Sequence, residues 1–178
     1  KSTFYKYPTK IGYSYKTNYI KPLIRFLDSK DILSEVVSPF EVDITKNYSI
    51  DPSKIIYNGP VKNEASINYV LKGGGIVNAD SIDDLNLICD TSKKFKIKNP
   101  KIGLRLSFEN QNLSSRFGIF FNEENLNISH QKLKKIGLNL PSLLHIHFPE
   151  RDLKSFKNRV RTFFDKINKF YGIDLKKI

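Results

Sequence analysis

Apolar residues along the chain recur with two different periods: short β-branched or aromatic runs, and longer stretches in which they return every three to four residues. In residues 11–18, Ile-Gly-Tyr-Ser-Tyr-Lys-Thr-Asn, an apolar and aromatic run stops at Lys16, which predicts a first strand with a lysine at its end. Ile20, Leu23, Ile24 and Leu27 then share one helical face. Glu35-Val36-Val37-Ser38 reads as a second strand stopped by Pro39, and residues 50–62 as a third, built on Ile55-Ile56 and ended by Asn58-Gly59-Pro60. Asn63 is placed to cap a helix carrying Ile67, Val70 and Leu71, and Gly73, Gly74 and Gly75 close it. Residues 76–81 form a fourth strand. Ser81 caps a further helix through Ile82, Leu85 and Ile88, with Asp83 and Asp84 in its first turn. Residues 101–107 make a fifth strand with Arg105 among apolar neighbours, 126–138 a helix on Ile128, Leu133 and Ile136, and 143–148 a sixth strand opened by Pro141. From residue 150 onward Leu153, Phe156, Val160, Phe163, Phe164, Ile167 and Phe170 draw the strongest amphipathic helix of the chain.

Six short strands alternating with helices predict an α/β fold with a parallel sheet and right-handed crossovers. Two architectures satisfy that pattern: an open doubly wound sheet, or about six βα units of a partial (β/α)8 TIM-type barrel. No Gly-rich phosphate fingerprint follows the first strand, which weighs against the doubly wound dinucleotide fold. The tri-glycine follows a helix and precedes a strand, so it reads as a cap and turn rather than a phosphate cradle. At 178 residues the chain makes one domain or part of a larger one.

Composition alters this picture little. With 39% hydrophobic and 12% aromatic residues the chain supports a packed core and is not a disordered tail. The net charge of +12 admits a nucleic-acid partner, but the lysines are spread over several segments without a recognisable binding motif and read as solvated faces. No apolar run reaches the ~18 residues of a membrane span and no signal-peptide pattern opens the chain, so a cytoplasmic location is the default. The first residue, Lys1, suggests that the start of the natural protein lies elsewhere. Cys89, the one cysteine, lies on an apolar helix side and reads as a buried small residue.

The candidate chemistry lies at strand ends. Lys16, Glu35 with Ser38, Asn58-Gly59-Pro60, Asn78 with Asp80, Arg105 and His147 all fall near the C-terminal ends of successive strands. In a (β/α) barrel those ends share one mouth, so residues far apart in sequence converge on one pocket. Each also has a plainer reading: a solvated strand end for Lys16, a core histidine for His147, a structural ion pair for Glu35 and Arg105.

The same segments resemble the fold-type III pyridoxal-phosphate-dependent decarboxylases, the group of ornithine, diaminopimelate and arginine decarboxylases, with alanine racemase as a more distant relation. Tyr-Ser-Tyr-Lys-Thr-Asn at 13–18 resembles the family's Tyr-Ala-Val-Lys-Ala-Asn, and Glu-Val-Val-Ser at 35–38 its Asp-Val-Val-Ser. Ile-Ile-Tyr-Asn-Gly-Pro-Val-Lys at 55–62 is similar to the strand-three motif, and Val-Asn-Ala-Asp-Ser at 77–81 to Asn-Val-Asp-Ser. Leu-Arg-Leu with Arg-Phe-Gly-Ile at 116–119, and Leu-His-Ile-His at 144–147, match the next motifs in order. The resemblance implies an alanine-racemase-like N-terminal barrel spanning residues 1–178, without the lead-in, last strands and C-terminal β domain. It implies a pyridoxal 5'-phosphate cofactor held as a Schiff base by Lys16, with Glu35, Ser38, Arg105 and His147 as cofactor-binding residues and His147 stacked on the ring. It further implies an amino-acid substrate, loss of carbon dioxide, and a homodimer.

Two departures accompany the match. Glu35 stands where the family has aspartate, and Phe148-Pro149-Glu150 stands where the family has a Gly-Ser that contacts phosphate. A carboxylate turned inward at Glu150 would repel phosphate. Phe148-Pro149-Glu150 motivates the alternative of a non-catalytic paralogue that keeps the barrel as a partner-binding domain.

Overall fold

The computed structural model describes residues 9–109, 115–147 and 152–172. Their elements run β1 (Gly12–Ser14), α1 (Lys21–Ser29), β2 (Leu33–Val36), α2 (Pro39–Asn47), a 3-10 turn (Pro52–Lys54), β3 (Ile55–Tyr57), α3 (Glu64–Lys72), β4 (Ile76–Ala79), α4 (Ile82–Lys94), β5 (Lys101–Ser107), β6 (Ile119–Phe120), α5 (Glu123–Lys134), β7 (Leu143–Ile146) and α6 (Leu153–Tyr171). Five of these six helices start with the same device. The side-chain oxygens of Ser38, Asn63, Ser81, Asn122 and Asp152 each accept the backbone N–H three residues on, at 2.8–3.2 Å. Each cap satisfies one of the donors a helix start leaves free.

The largest departure from the sequence pattern is α2. Pro39 does not break the chain but occupies the first turn of a helix, where its missing N–H costs nothing, and Ser38 is its cap rather than the end of a strand. The second strand accordingly sits earlier, at Leu33–Val36. The third shrinks to Ile55–Tyr57, because Pro52 turns its approach into one turn of 3-10 helix. The sheet has a seventh strand, since Ile119 and Phe120 pair with Leu106 and Ser107 at the end of β5.

All strand pairs are parallel, and β1 to β5 lie side by side in sequence order, with β6 and β7 both pairing β5. Right-handed crossovers between strands laid down in one direction place every connecting helix on the same face. A doubly wound sheet needs a reversal of strand order, which β1 to β5 lack. The arrangement is that of a partial barrel, with helices outside and a concave inner face.

Strand alternation confirms the sidedness. Val36, Tyr57, Val77, Ala79, Ile102 and Leu104 point outward and are fully buried against Ile67 and Val70 of α3, Leu85 and Ile88 of α4, and Leu126 of α5. Burying side chains of this size stabilises by about 1.5–3 kcal/mol each. Cys89 belongs to this core, and burial pushes its thiol up to about 11, so it packs as an inert small side chain.

Where β3 leaves the sheet the backbone passes so near β2 that a Cβ on Gly59 would lie 1.6 Å from the carbonyl oxygen of Val37. A glycine is therefore required for the two strand ends to meet. Gly59→Ala is expected to destabilise the fold by about 3 kcal/mol, the upper end of overpacking costs, because backbone rather than a flexible side chain must yield. Thermal unfolding checks this, and a midpoint within a degree of the parent would refute the close approach.

Candidate functional site

The inner face of the sheet is divided along its length. Register pairs Ser14 with Glu35, Asn78 with Gly103 and Arg105 with His145, and by alternation these share a face with Leu33, Ile56, Ile76 and Leu143. The apolar four form its lower part and are half-buried, whereas the polar residues gather toward the C-terminal strand ends. Of the sequence candidates, Glu35, Asn58, Asn78, Asp80, Arg105 and His147 lie within, or one residue beyond, β2, β3, β4, β5 and β7. Lys16 leaves by the turn after β1.

Three of these side chains form a chain across neighbouring strands. Asn58 Nδ2 donates to Glu35 Oε1 at 3.1 Å, and Asn78 Nδ2 donates to Asn58 Oδ1. The charged end sets the direction: a carboxylate only accepts, so Asn58 must present its amide nitrogen to Glu35 and its oxygen to Asn78. Among the described residues Asn78 Oδ1 is left over, buried and without a partner. It occupies the space a side chain at position 103 would fill, since a Cβ on Gly103 would stand 1.7 Å from it.

Beside this chain, Arg105 Nη1 donates to Asp80 Oδ1 at 2.7 Å, with both side chains 9% exposed. The Phe117 ring meets two guanidinium groups, that of Arg105 at 5.0 Å from its centre and that of Arg116 at 4.9 Å. Such cation–ring contacts hold the planar group in place at a modest energy. Arg105 Nε is buried without a partner among the described residues.

Lys16 is exposed, so the described residues do not supply the desolvation expected of a reactive amine. Its charge acts on two neighbours, steadying the ionised form of Glu41 and opposing protonation of His147. Glu41 is the buried carboxylate of this corner, 6% exposed. Its Oε2 accepts the Val37 N–H at 2.8 Å, while its own N–H donates to Ser38 Oγ at 3.2 Å. Burial raises its pKa, and the charge of Glu35 adds to the effect. Ser38 is thus engaged at the start of α2.

The two strand-end histidines differ in environment. Burial, reinforced by the Arg105 charge, pushes His145 down to about 4, so its imidazole is neutral at physiological pH. His147, one residue beyond β7, is exposed, and its pKa is lowered by partial burial and then by Arg105 and Lys16. The segment 148–150, where the family's phosphate-contacting serine would lie, is outside the described residues, as is any inward turn of Glu150.

Sequence reasoning did not single out Glu41, His145, Gly103 or the burial of Lys62. The first two carry a signal in hindsight. Ser38-x-x-Glu41 is a capping-box spacing, and His145 shares the face of His147 by period-two alternation. Gly103 and Lys62 have none, because their constraints come from other strands.

The model of the pyridoxal-binding domain of pyridoxal-dependent decarboxylases matches residues 1–178. The chain belongs to this family. No curated protein sequence matches it directly. Among solved structures it is similar to a Helicobacter pylori diaminopimelate decarboxylase complexed with L-lysine, with 20% identity over 95% of this chain and a TM-score of 0.79. It is also similar to the arginine decarboxylase of Paramecium bursaria Chlorella virus, at 18% identity over 96% and 0.72. A lysine/ornithine decarboxylase from Vibrio vulnificus, complexed with putrescine, gives 15% identity over 95% and 0.71. The chain spans 45%, 46% and 44% of those three proteins, and at these identities the likeness is one of fold.

The residues present fit the family's cofactor. Ser14 Oγ, Asn78 Oδ1, Arg105 Nε and His145 Nδ1 are buried polar atoms without partners among the described residues, and all four belong to residues of the inner face. Buried polar atoms of this kind normally have hydrogen-bond partners, so four unpaired ones on one face are groups that a polar occupant could satisfy.

Two measurements test this geometry. Because His145 titrates in the fold near 4, below an unfolded histidine, its contribution to stability is complete above about pH 6.5 and is lost as the pH falls from there toward 4. Denaturant unfolding across that window should show a slope worth about 3 kcal/mol that His145→Gln removes; an NMR titration placing His145 at 6 or above would overturn it. Gly103→Ala, by forcing Asn78 aside, should cost about 1–3 kcal/mol in thermal unfolding, and no loss would show that the inner face has slack there.

Proposed function

We propose that this chain is the cofactor-binding barrel of a pyridoxal-phosphate-dependent amino-acid decarboxylase of the ornithine, diaminopimelate or arginine type. The observation that carries the reading is the convergence of Lys16, Glu35, Arg105 and His147 at one end of a parallel sheet whose inner face holds four unpaired buried polar atoms. When bound, the cofactor supplies an electron sink for the charge left as carbon dioxide departs.

The chain's own residues divide the remaining work. Lys16 offers the amine to which the cofactor is tied, with Glu35 and Glu41 as the carboxylates near it that hold or release a proton. His147 would hold the ring from one side. Arg105, kept rigid by Asp80 and Phe117, offers its free Nε–H, and Ser38 contributes at the rim from the start of α2. The neutral His145 beneath them adds no charge to the pocket. The substrate is an amino acid with a second polar group on its side chain, and the complete protein works as a homodimer in the cytoplasm.

Borohydride reduction of the protein with stoichiometric pyridoxal phosphate, followed by peptide mass spectrometry, tests the central assignment. The label is expected on Lys16 and is expected to fall to background in Lys16→Ala, while thermal stability changes by less than about 0.5 kcal/mol, as for an exposed side chain. A label on another lysine, or none at all, would overturn it.

A further inference from the structure

Lys62 lies in the loop after β3, and its side chain is completely buried. Its Nζ meets Asp84 Oδ2 at 2.6 Å, also donates to the carbonyl of Gly59, and stands 5.3 Å over the Tyr57 ring. Asp84 lies in the first turn of α4, where the helix start favours a negative charge. The same Oδ2 accepts the backbone N–H of Asp80 at 2.9 Å. Asp80 in turn holds Arg105 through its side chain. Two carboxylates between two cations, in the order Lys62, Asp84, Asp80 and Arg105, therefore run from the β3–α3 loop to the inner face.

Stability alone gives no reason for the buried pair. Burial penalises both ions, lowering the pKa of Lys62 and raising that of Asp84, and two apolar side chains of similar size serve a core at least as well. An apolar pair could not tie Gly59 O and Asp80 N together, however. Those are the places where β3 and β4 turn into their helices, and the second sets the direction of the Asp80 carboxylate.

We propose that Lys62 is a positioning residue of the candidate site: acting through Asp84 and the main chain of Asp80, it fixes the direction in which Arg105 presents its free Nε–H. This rests on the reading of Arg105 as a cofactor-side residue, but the geometry can be tested without any cofactor. Loss of Lys62 alone leaves Asp84 a buried carboxylate beside Asp80, so the two compete for the Arg105 guanidinium.

The test reads hydrogen exchange of the Arg105 Nε–H in 1H–15N spectra of the natural chain. Lys62→Met is expected to lower the thermal midpoint, and the double variant Lys62→Met/Asp84→Leu to restore it to within about 4 °C. In that double variant the Nε–H should nonetheless exchange about tenfold faster than in the parent, as it should in Asp80→Asn, the effect of one lost charge-assisted hydrogen bond. Exchange as slow as the parent's in the restored double variant would overturn the proposal. If the double variant does not fold, Asp84→Asn and Asp84→Ala decide: the amide, which keeps an acceptor for Asp80 N–H, should retain slow exchange and the alanine lose it, and equal behaviour of the two refutes the role. Affinity for pyridoxal phosphate should fall about tenfold along with the faster exchange. A parent chain that takes up no cofactor would overturn the proposed function and leave the exchange result standing.

Discussion

Right-handed crossovers between strands laid down in sequence order are the constraint on which everything else in this chain depends. From β1 to β5 each new strand adds to the same edge, so each connecting helix is carried to the same side of the sheet. The outward residues of every strand are then committed to a helix-covered core, and the inward ones are released from it. Polar side chains can stand at the inner strand ends because no helix must pack there. A single reversal of strand order would have covered that face with helices and made Glu35, Asn58, Asn78 and Arg105 untenable.

Keeping polar groups at a sheet surface with little water around them requires that they satisfy one another, and two solutions stand side by side. One is neutral beyond its first member: Glu35 fixes the direction of the Asn58 and Asn78 amides and pushes an unpaired acceptor to the far end, opposite Gly103. The other is ionic, with Lys62 facing Asp84 and Arg105 facing Asp80, so that each of these four charges stands beside a counter-charge. Both leave an unpaired atom on the inner face, Asn78 Oδ1 in one case and Arg105 Nε in the other. The two leftover atoms thus belong to neighbouring strands of one face, and the neutral His145, opposite Arg105 on β7, adds no competing charge.

Much of this was legible along the chain, and what was not has particular causes. Asn63 and Ser81 announced their helices because cap, first-turn acids and apolar face coincide within a few residues. Pro39 misled, because a proline after a valine pair looks like a strand stop, yet the same proline suits the first turn of a helix once Ser38 caps it. Ser38 and Glu41 exchange prominence for that reason: the serine is spent on the helix start, and the residue three places on becomes the buried carboxylate near Lys16. β6 is two residues long, too short for any periodicity to mark it, and exists because β5 extends far enough to pair with it.

The sequence by itself determined the alternation of strands and helices, the placement of Lys16, Glu35, Arg105 and His147 at strand ends, and the likeness to the pyridoxal-dependent decarboxylases, since all of these are written in local spacing. Only the tertiary structure decided which atoms are left without partners, which glycines are obligatory and which charges face one another. Gly59 is needed because of Val37, Gly103 because of Asn78, and Asp84 joins Lys62 to Asp80 across two loops. The glycine contacts and the Lys62–Asp84 pair each join residues about 20 or more apart in sequence. Their distances follow from how far β2, β3, β4 and β5 stand from one another, a quantity that no window of sequence contains.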